Sequence, residues 1–134
     1  MSTPEKNPIM LVDDDYIDRM TVIRALKDSK IKSQPLFAGN GQEALDLLNK
    51  EETEKPSLIL LDLNMPVMDG LEFLQIIKAD DKFKDIPVVV LTTSNLDNDR
   101  TKAYQNKIAG YFVKPSNYLK FIEMFESLKQ YWRL

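Results

Sequence analysis

The chain has 134 residues, a formal net charge of −3, 43% hydrophobic and 29% charged residues, the balance of one globular domain that can bury its own core without metals or disulfides. It contains no cysteine and no histidine, which excludes disulfides, zinc–thiolate sites, thiol nucleophiles and the usual imidazole general base. Site chemistry therefore falls to Asp, Glu, Lys, Tyr, Ser and Thr, an inventory that suits a hard, oxygen-preferring ion such as Mg²⁺.

The acidic balance argues against a nucleic-acid partner. No apolar run is long enough for a membrane helix or signal peptide, so the expected location is the cytoplasm.

Met1 to Pro8 is polar, holds two prolines and reads as a loose tail. Ile9 to Val12 is a short apolar strand that stops at Asp13, Asp14 and Asp15. From Tyr16 the period turns helical, with Tyr16, Met20, Ile23 and Leu26 on one predicted face and Asp15 or its neighbour at the start. Ser33 to Ala38 reads as a second strand, which Pro35 places at a sheet edge. Asn40-Gly41-Gln42-Glu43 resembles a capping box, with Ala44, Leu45, Leu47 and Leu48 supplying the helix. A charged loop, Lys50 to Ser57, follows.

The third strand, Leu58 to Leu61, is apolar throughout, as suits a strand buried on both faces. It ends in Asp62, followed by Asn64, Met65 and Pro66. A carboxylate at that position can cap a helix, ligate a metal or act as a nucleophile. Asp69 competes for the cap: it stands three residues before Glu72 and directly before Gly70 and the next periodic segment, Leu71, Leu74, Ile77 and Lys78. Asp80 to Asp85 is a polar connection. A fourth strand, Ile86 to Leu91, ends in Thr92, Thr93 and Ser94. The helix after it, roughly Asp97 to Asn106, has few apolar anchors and is expected to pack least firmly. Gly110 precedes a fifth strand, Tyr111 to Val113, which ends at Lys114-Pro115. Ser116 or Asn117 caps a last helix carrying Leu119, Ile122, Phe125, Leu128 and Trp132.

Five strand–helix alternations predict an α/β fold: a five-stranded parallel sheet, doubly wound as (βα)5. Right-handed crossovers make 2-1-3-4-5, the flavodoxin-like order, the economical one. That order lines up the strand ends Asp13, Asp14, Asp62, Thr92 and Lys114 along one rim, where ligands bind in open α/β sheets. Each has a plain alternative: a solvated helix start for the Asp run, a cap for Thr92, a surface charge for Lys114.

Together they suit one chemistry. Clustered carboxylates repel, and a bound cation relieves the repulsion. Mg²⁺ commonly takes a few carboxylates and a phosphate oxygen. A carboxylate beside it can attack phosphorus to give an aspartyl phosphate, with the ion and an ammonium stabilising the transferring group and Thr92 donating its hydroxyl. An ionised carboxylate needs no general base.

These residues resemble the receiver domain of two-component response regulators, over nearly the whole chain. The motifs are Asp13-Asp14 after the first strand, LLDLNMPVMDG around Asp62, Thr92, and GYFVKP from Gly110 to Pro115. The resemblance implies that Asp62 accepts phosphate from a histidine kinase or histidine phosphotransfer protein. It implies Mg²⁺ ligated by Asp14, Asp62 and the backbone carbonyl of Asn64, with Asp13 acting mainly through water. It makes Lys114 the phosphate partner, the Lys114–Pro115 bond cis, Gly70 and Pro115 structural positions, and Tyr111 the switch aromatic.

Two residues depart from the family pattern: Thr93, which is expected to narrow access to the phosphate, and Ser116, which stands where a bulky apolar residue is usual. For the switch, the phosphoryl group is expected to draw the Thr92 hydroxyl inward and let the Tyr111 ring follow.

The chain is expected to be a single receiver domain over 1–134 with no effector domain. Its output then comes from its own surface: binding a target protein, passing phosphate onward or competing for the kinase. The closing segment, with Phe121, Phe125, Tyr131 and Trp132, is a candidate dimer or partner patch, against which core packing is the alternative for Phe125 and Leu128.

The resemblance implies a phosphoacceptor rather than an enzyme. An aspartyl phosphatase would place an acidic residue two positions after the nucleophile, where this chain has Asn64. A flavodoxin-like nucleotide binder would need a phosphate-cradling loop after the first strand, where this chain has three aspartates.

Overall fold

A computed structural model describes residues 8–32 and 35–132, with side chains described through residue 130. The predicted tail (apart from Pro8), Ser33, Gln34 and the side chains of Tyr131 and Trp132 lie outside the described residues.

The elements alternate as predicted: β1 (Ile9–Val12), α1 (Tyr16–Asp28), β2 (Leu36–Ala38), α2 (Gly41–Leu48), β3 (Leu58–Leu61), α3 (Gly70–Lys78), β4 (Val88–Thr92), α4 (Asp97–Gln105), β5 (Gly110–Val113) and α5 (Tyr118–Trp132). The strands form one sheet in the order β2-β1-β3-β4-β5, and every pairing is parallel. β1, β3 and β4 are buried at every residue, which is why each reads as an unbroken apolar run instead of an alternation.

The two-residue period of a strand divides these side chains between two layers. Met10, Val12, Ile59, Leu61, Val88 and Val90 pack with Ala44, Leu48, Phe73, Leu74, Ile77 and Ala103 of α2, α3 and α4. Ile9, Leu11, Leu58, Leu60, Val89 and Leu91 pack with Val22, Ala25 and Leu26 of α1 and Phe121, Met124, Phe125 and Leu128 of α5.

Helix starts are set locally. Asp15, Asn40 and Asp69 each accept a hydrogen bond from the backbone N–H three residues on, and Asn117 accepts from the N–H of Leu119, satisfying donors that a helix start leaves open. The Glu43 carboxylate reaches back to the Gly39 N–H, closing the predicted box one residue earlier than its standard form.

Two helix faces differ from expectation. α1 buries Val22, Ala25 and Leu26, whereas Tyr16 and Met20 are 66% and 45% exposed. The buried stripe is the one opposite the sheet and α5, and small Ala25 lies at its centre. α5 buries Phe121, Met124, Phe125 and Leu128 at i, i+3, i+4 and i+7, while Leu119 is 69% exposed; Phe121 is therefore core and not a surface patch. α4, expected to pack least firmly, buries only Ala103.

Candidate functional site

Three strands present their next residue at the carboxyl rim, and the sheet ladder runs one step further to hold each of them. The backbone N–H of Asp13 donates to the Ala38 carbonyl at 3.0 Å, that of Asp62 to Val12 at 2.9 Å and that of Lys114 to Thr92 at 2.7 Å. The side chains are thus placed by the rigid sheet and not by loops.

Strand parity sets which side each comes from. Asp13 and Asp62 continue the 9-11-13 and 58-60-62 rows that face α1 and α5. Thr92 continues the Val88, Val90 row on the opposite layer.

Asp62 is gripped from both sides. Its Oδ1 accepts from the Thr92 hydroxyl at 2.8 Å and from the Asn64 N–H at 3.2 Å. Its Oδ2 accepts from the Lys114 ammonium at 3.3 Å. Thr92 is fully buried and caps no helix; α4 has no side-chain cap at all.

The Lys114 ammonium also donates to Asp13 Oδ2 at 2.8 Å and to Asp18 Oδ2 at 2.6 Å. Asp13 Oδ1 accepts the Asp15 N–H at 2.9 Å. Asp18 was not foreseen as a site residue; the one signal for it in the sequence is an acidic residue a helical turn beyond Asp14.

Burial pushes the Asp13 carboxyl above the ordinary carboxylate range, and the bonds from Lys114 and the Asp15 N–H only partly offset that push. Burial alone would depress Lys114, but its bonds to Asp13 and Asp18 prevail and hold the ammonium above the usual lysine value.

Carboxylate oxygens of Asp13, Asp14 and Asp62 lie within 4.8 Å of one another. An all-oxygen set of carboxylates, with Asp14 open to solvent, fits a hard divalent cation and offers nothing to a soft one. Beside it lies a cleft of about 480 Å³, lined by residues that include Asp14, Asn64, Met65, Pro66, Asp69 and Asp99. Its wall contains a tight turn: the Met68 N–H donates to the Pro66 carbonyl at 2.7 Å, and Val67 between them has φ 67°, a conformation that strains a β-branched residue.

Gly70 closes the loop beneath Asp62. A Cβ there would lie 2.4 Å from the Asp62 carbonyl oxygen.

One expectation is corrected here. The Lys114–Pro115 bond is trans, and no peptide bond among the described residues is cis; trans is the intrinsically favoured isomer, and in it Lys114 already reaches the acidic cluster. The Thr92 hydroxyl is bonded to Asp62, which is the position from which its expected turn toward a phosphoryl group starts. Thr93 and Ser116 are both exposed, so Ser116 leaves no buried apolar gap.

Tyr111 is half-buried. Its hydroxyl donates to the Ser94 carbonyl at 2.8 Å, and the Arg100 guanidinium lies over its ring at 5.0 Å.

A family model for the response regulator receiver domain matches residues 9–126. The response regulator Rcp1 of Synechocystis sp. is 36% identical over 135 residues, covering 96% of this chain and 92% of that protein. The probable methanogenesis regulatory protein FilR2 of Methanothrix harundinacea is 36% identical over 127 residues, covering 92% of this chain and 82% of that protein.

Among solved structures, the phosphorylated cyanobacterial phytochrome response regulator RcpA matches with a TM-score of 0.88 and 32% identity, covering 96% of this chain and 95% of that one. The Mn²⁺-bound form of Rcp1 matches with a TM-score of 0.85 and 35% identity, covering 94% of each.

Proposed function

The chain belongs to the response regulator receiver domain family, and from that membership we propose that it is a phosphorylation-operated module in which Asp62 is the phosphoacceptor. The observation that carries this reading is the Asp62 carboxylate at the end of β3, bonded on one oxygen by Thr92 and on the other by Lys114.

As an ionised carboxylate, Asp62 attacks the phosphorus of a phosphohistidine on a kinase or phosphotransfer protein. The O–P bond forms as the P–N bond breaks, and the imidazole leaves with the electron pair. Lys114 and Thr92 then hold two of the peripheral phosphoryl oxygens. A divalent cation such as Mg²⁺, held by Asp14, Asp62, the Asn64 carbonyl and, mainly through water, Asp13, would neutralise the crowded negative charge.

The route outward is a chain of hydrogen bonds. Thr92 Oγ1 accepts the Ser94 N–H at 3.3 Å, and the Ser94 carbonyl accepts the Tyr111 hydroxyl. When Thr92 turns its hydroxyl from Asp62 Oδ1 to a phosphoryl oxygen, Ser94 shifts with it and Tyr111 follows. The loosely anchored α4 offers little resistance, so two arrangements of this segment can exchange by population shift. A target protein, a second copy of this chain or a further phosphotransfer partner reads the resulting surface, in the cytoplasm. No helix among the described residues is long and apolar enough to cross a membrane.

The test is direct. Incubation with a small phosphodonor and Mg²⁺ is expected to add one phosphate by intact mass, and borohydride reduction followed by peptide mapping is expected to place the label at Asp62. A label elsewhere, or none, overturns the reading.

The cation has its own signature. Binding to the native state alone raises the melting temperature, by an amount equivalent to about 2.7 kcal/mol at roughly 100 Kd, and Asp14→Ala is expected to lose most of that rise. The gain must shrink on acidification, because ligand carboxylates bind metal only when deprotonated. Since Asp13 sits above its ordinary pKa, the loss begins above the usual carboxylate range. Without metal the same shift has the opposite sense: the folded chain holds this proton more tightly than the unfolded one, so that contribution is full at low pH and is lost as pH rises through the folded pKa of Asp13. Thermal melts across pH, with and without Mg²⁺, check both slopes.

A further inference from the structure

Lys114 has three ammonium protons, and all three are engaged by carboxylates: Asp18 at 2.6 Å, Asp13 at 2.8 Å and Asp62 at 3.3 Å. A phosphoryl oxygen that takes a bond from Lys114 must therefore displace one of them. Esterification of Asp62 frees only its own contact, the longest of the three at 3.3 Å, while the ammonium stays held toward α1 by the shorter ones. The Asp13 side chain is 2% exposed, and stripping it of its ammonium would leave a buried carboxylate short of a partner, a costly arrangement.

Asp18 is different. Its side chain is 31% exposed, so water can take over its oxygens when the ammonium leaves. It sits in the first turn of α1, where the helix end favours a carboxylate in place. Its own backbone N–H is already capped by Asp15, so the helix start does not depend on the ion pair.

We propose that Asp18 is a positioning residue that draws Lys114 away from Asp62 in the resting protein and is exchanged for a phosphoryl oxygen when Asp62 is modified. The proposal rests on the reading of Asp62 as phosphoacceptor. It explains why the shortest of the three contacts leads out of the site and the longest leads to the nucleophile: the ammonium leans toward α1, and Asp62 keeps more of its negative charge. It also sets a cost on the modified state, because the Lys114–Asp18 pair must open for the phosphoryl group to be held. Removing the Asp18 charge removes that competitor.

The experiment uses beryllofluoride with Mg²⁺ as a non-covalent phosphoryl mimic, titrated into the parent, Asp18→Asn and Asp18→Ala and followed by amide spectra. Both variants are expected to bind the mimic more tightly, by about five- to tenfold, near the lower end of common coupling factors. In the parent, the side-chain carboxyl ¹³C resonance of Asp18 is expected to move on addition of the mimic and to stay in place with Mg²⁺ alone. A merely structural role would not produce that resonance change.

Equal or weaker binding in natively folded variants overturns the exchange, as does an Asp18 carboxyl resonance that the mimic leaves unmoved. If the parent itself fails to bind the mimic at Asp62, the phosphoacceptor reading falls and this inference falls with it. Parent binding with unchanged variants removes the exchange alone.

Discussion

Asp62→Asn is expected to take up no phosphate from a small phosphodonor and Mg²⁺ under conditions that label the parent fully, while remaining folded. The amide has the shape of the carboxylate but no anionic oxygen to attack phosphorus, and the chain has no His or Cys to replace it. The fold survives because the amide can be satisfied in place. Thr92, whose hydroxyl both donates and accepts, can accept from the Asn N–H₂, and the Asn oxygen can face Lys114, at the cost of the 3.2 Å bond from the Asn64 N–H. The substitution also removes one negative charge from a set whose oxygens lie within 4.8 Å, so the metal-free variant should melt no lower than the parent. Intact mass after incubation decides the first part and a thermal melt the second. Labelling of the variant to the parent's stoichiometry would mean that the nucleophile is another residue.

Gly70→Ala should be the most damaging single methyl addition near the site. The new Cβ would meet the Asp62 carbonyl oxygen at 2.4 Å, the Leu63 Cα at 2.7 Å and the Leu63 Cδ2 at 3.0 Å. Two of these atoms are backbone, and they belong to the segment that carries Asp62. They cannot yield as a flexible side chain would, and the Gly70 N–H is itself tied to the Leu63 carbonyl at 3.0 Å. The overpacking should cost about 3 kcal/mol, a fall of roughly 10 °C in melting temperature for a chain of this size. Mg²⁺ affinity should fall as well, because relief of the clash displaces Asp62. A variant that melts with the parent and binds Mg²⁺ equally would show that the β3–α3 connection is softer than its contacts imply.

The sequence made visible whatever is decided locally. Asp15, Asn40 and Asp69 cap their helices through bonds to residues three positions away, and such signals lie within a few letters of one another. The buried strands were legible because burial on both faces leaves four apolar residues in a row in each. Asp13, Asp62, Thr92 and Lys114 could be grouped because strand order alone brings their ends together.

The helix faces were harder. α1 carries Tyr16, Ile17, Met20, Val22, Ile23 and Leu26, apolar residues at several angles, and only its packing on α5 and the sheet selects the stripe around Ala25. Phe73 on α3 was missed for the same reason, and Phe83 because it lies in the connection read as polar; both are buried. Asp18 was beyond reach because its partner lies 96 residues away, and nothing near it in the chain reports an ammonium at that distance. The trans bond before Pro115 departs from an expectation that came with the family resemblance, not from a reading of these residues.

The longest of these ties spans 101 residues, from Asp13 to Lys114. During synthesis the acidic pair leaves the ribosome early, and Asp62 follows with the third strand. The ammonium arrives only with the fifth, after the rest of the sheet has been made. Parallel pairings between distant segments form late, since loop closure must come first. A nascent or prematurely terminated chain can therefore display its carboxylates without the cation that steadies a transferred phosphate. If Asp62 is the phosphoacceptor, competence to hold a phosphoryl group then coincides with completion of the fold.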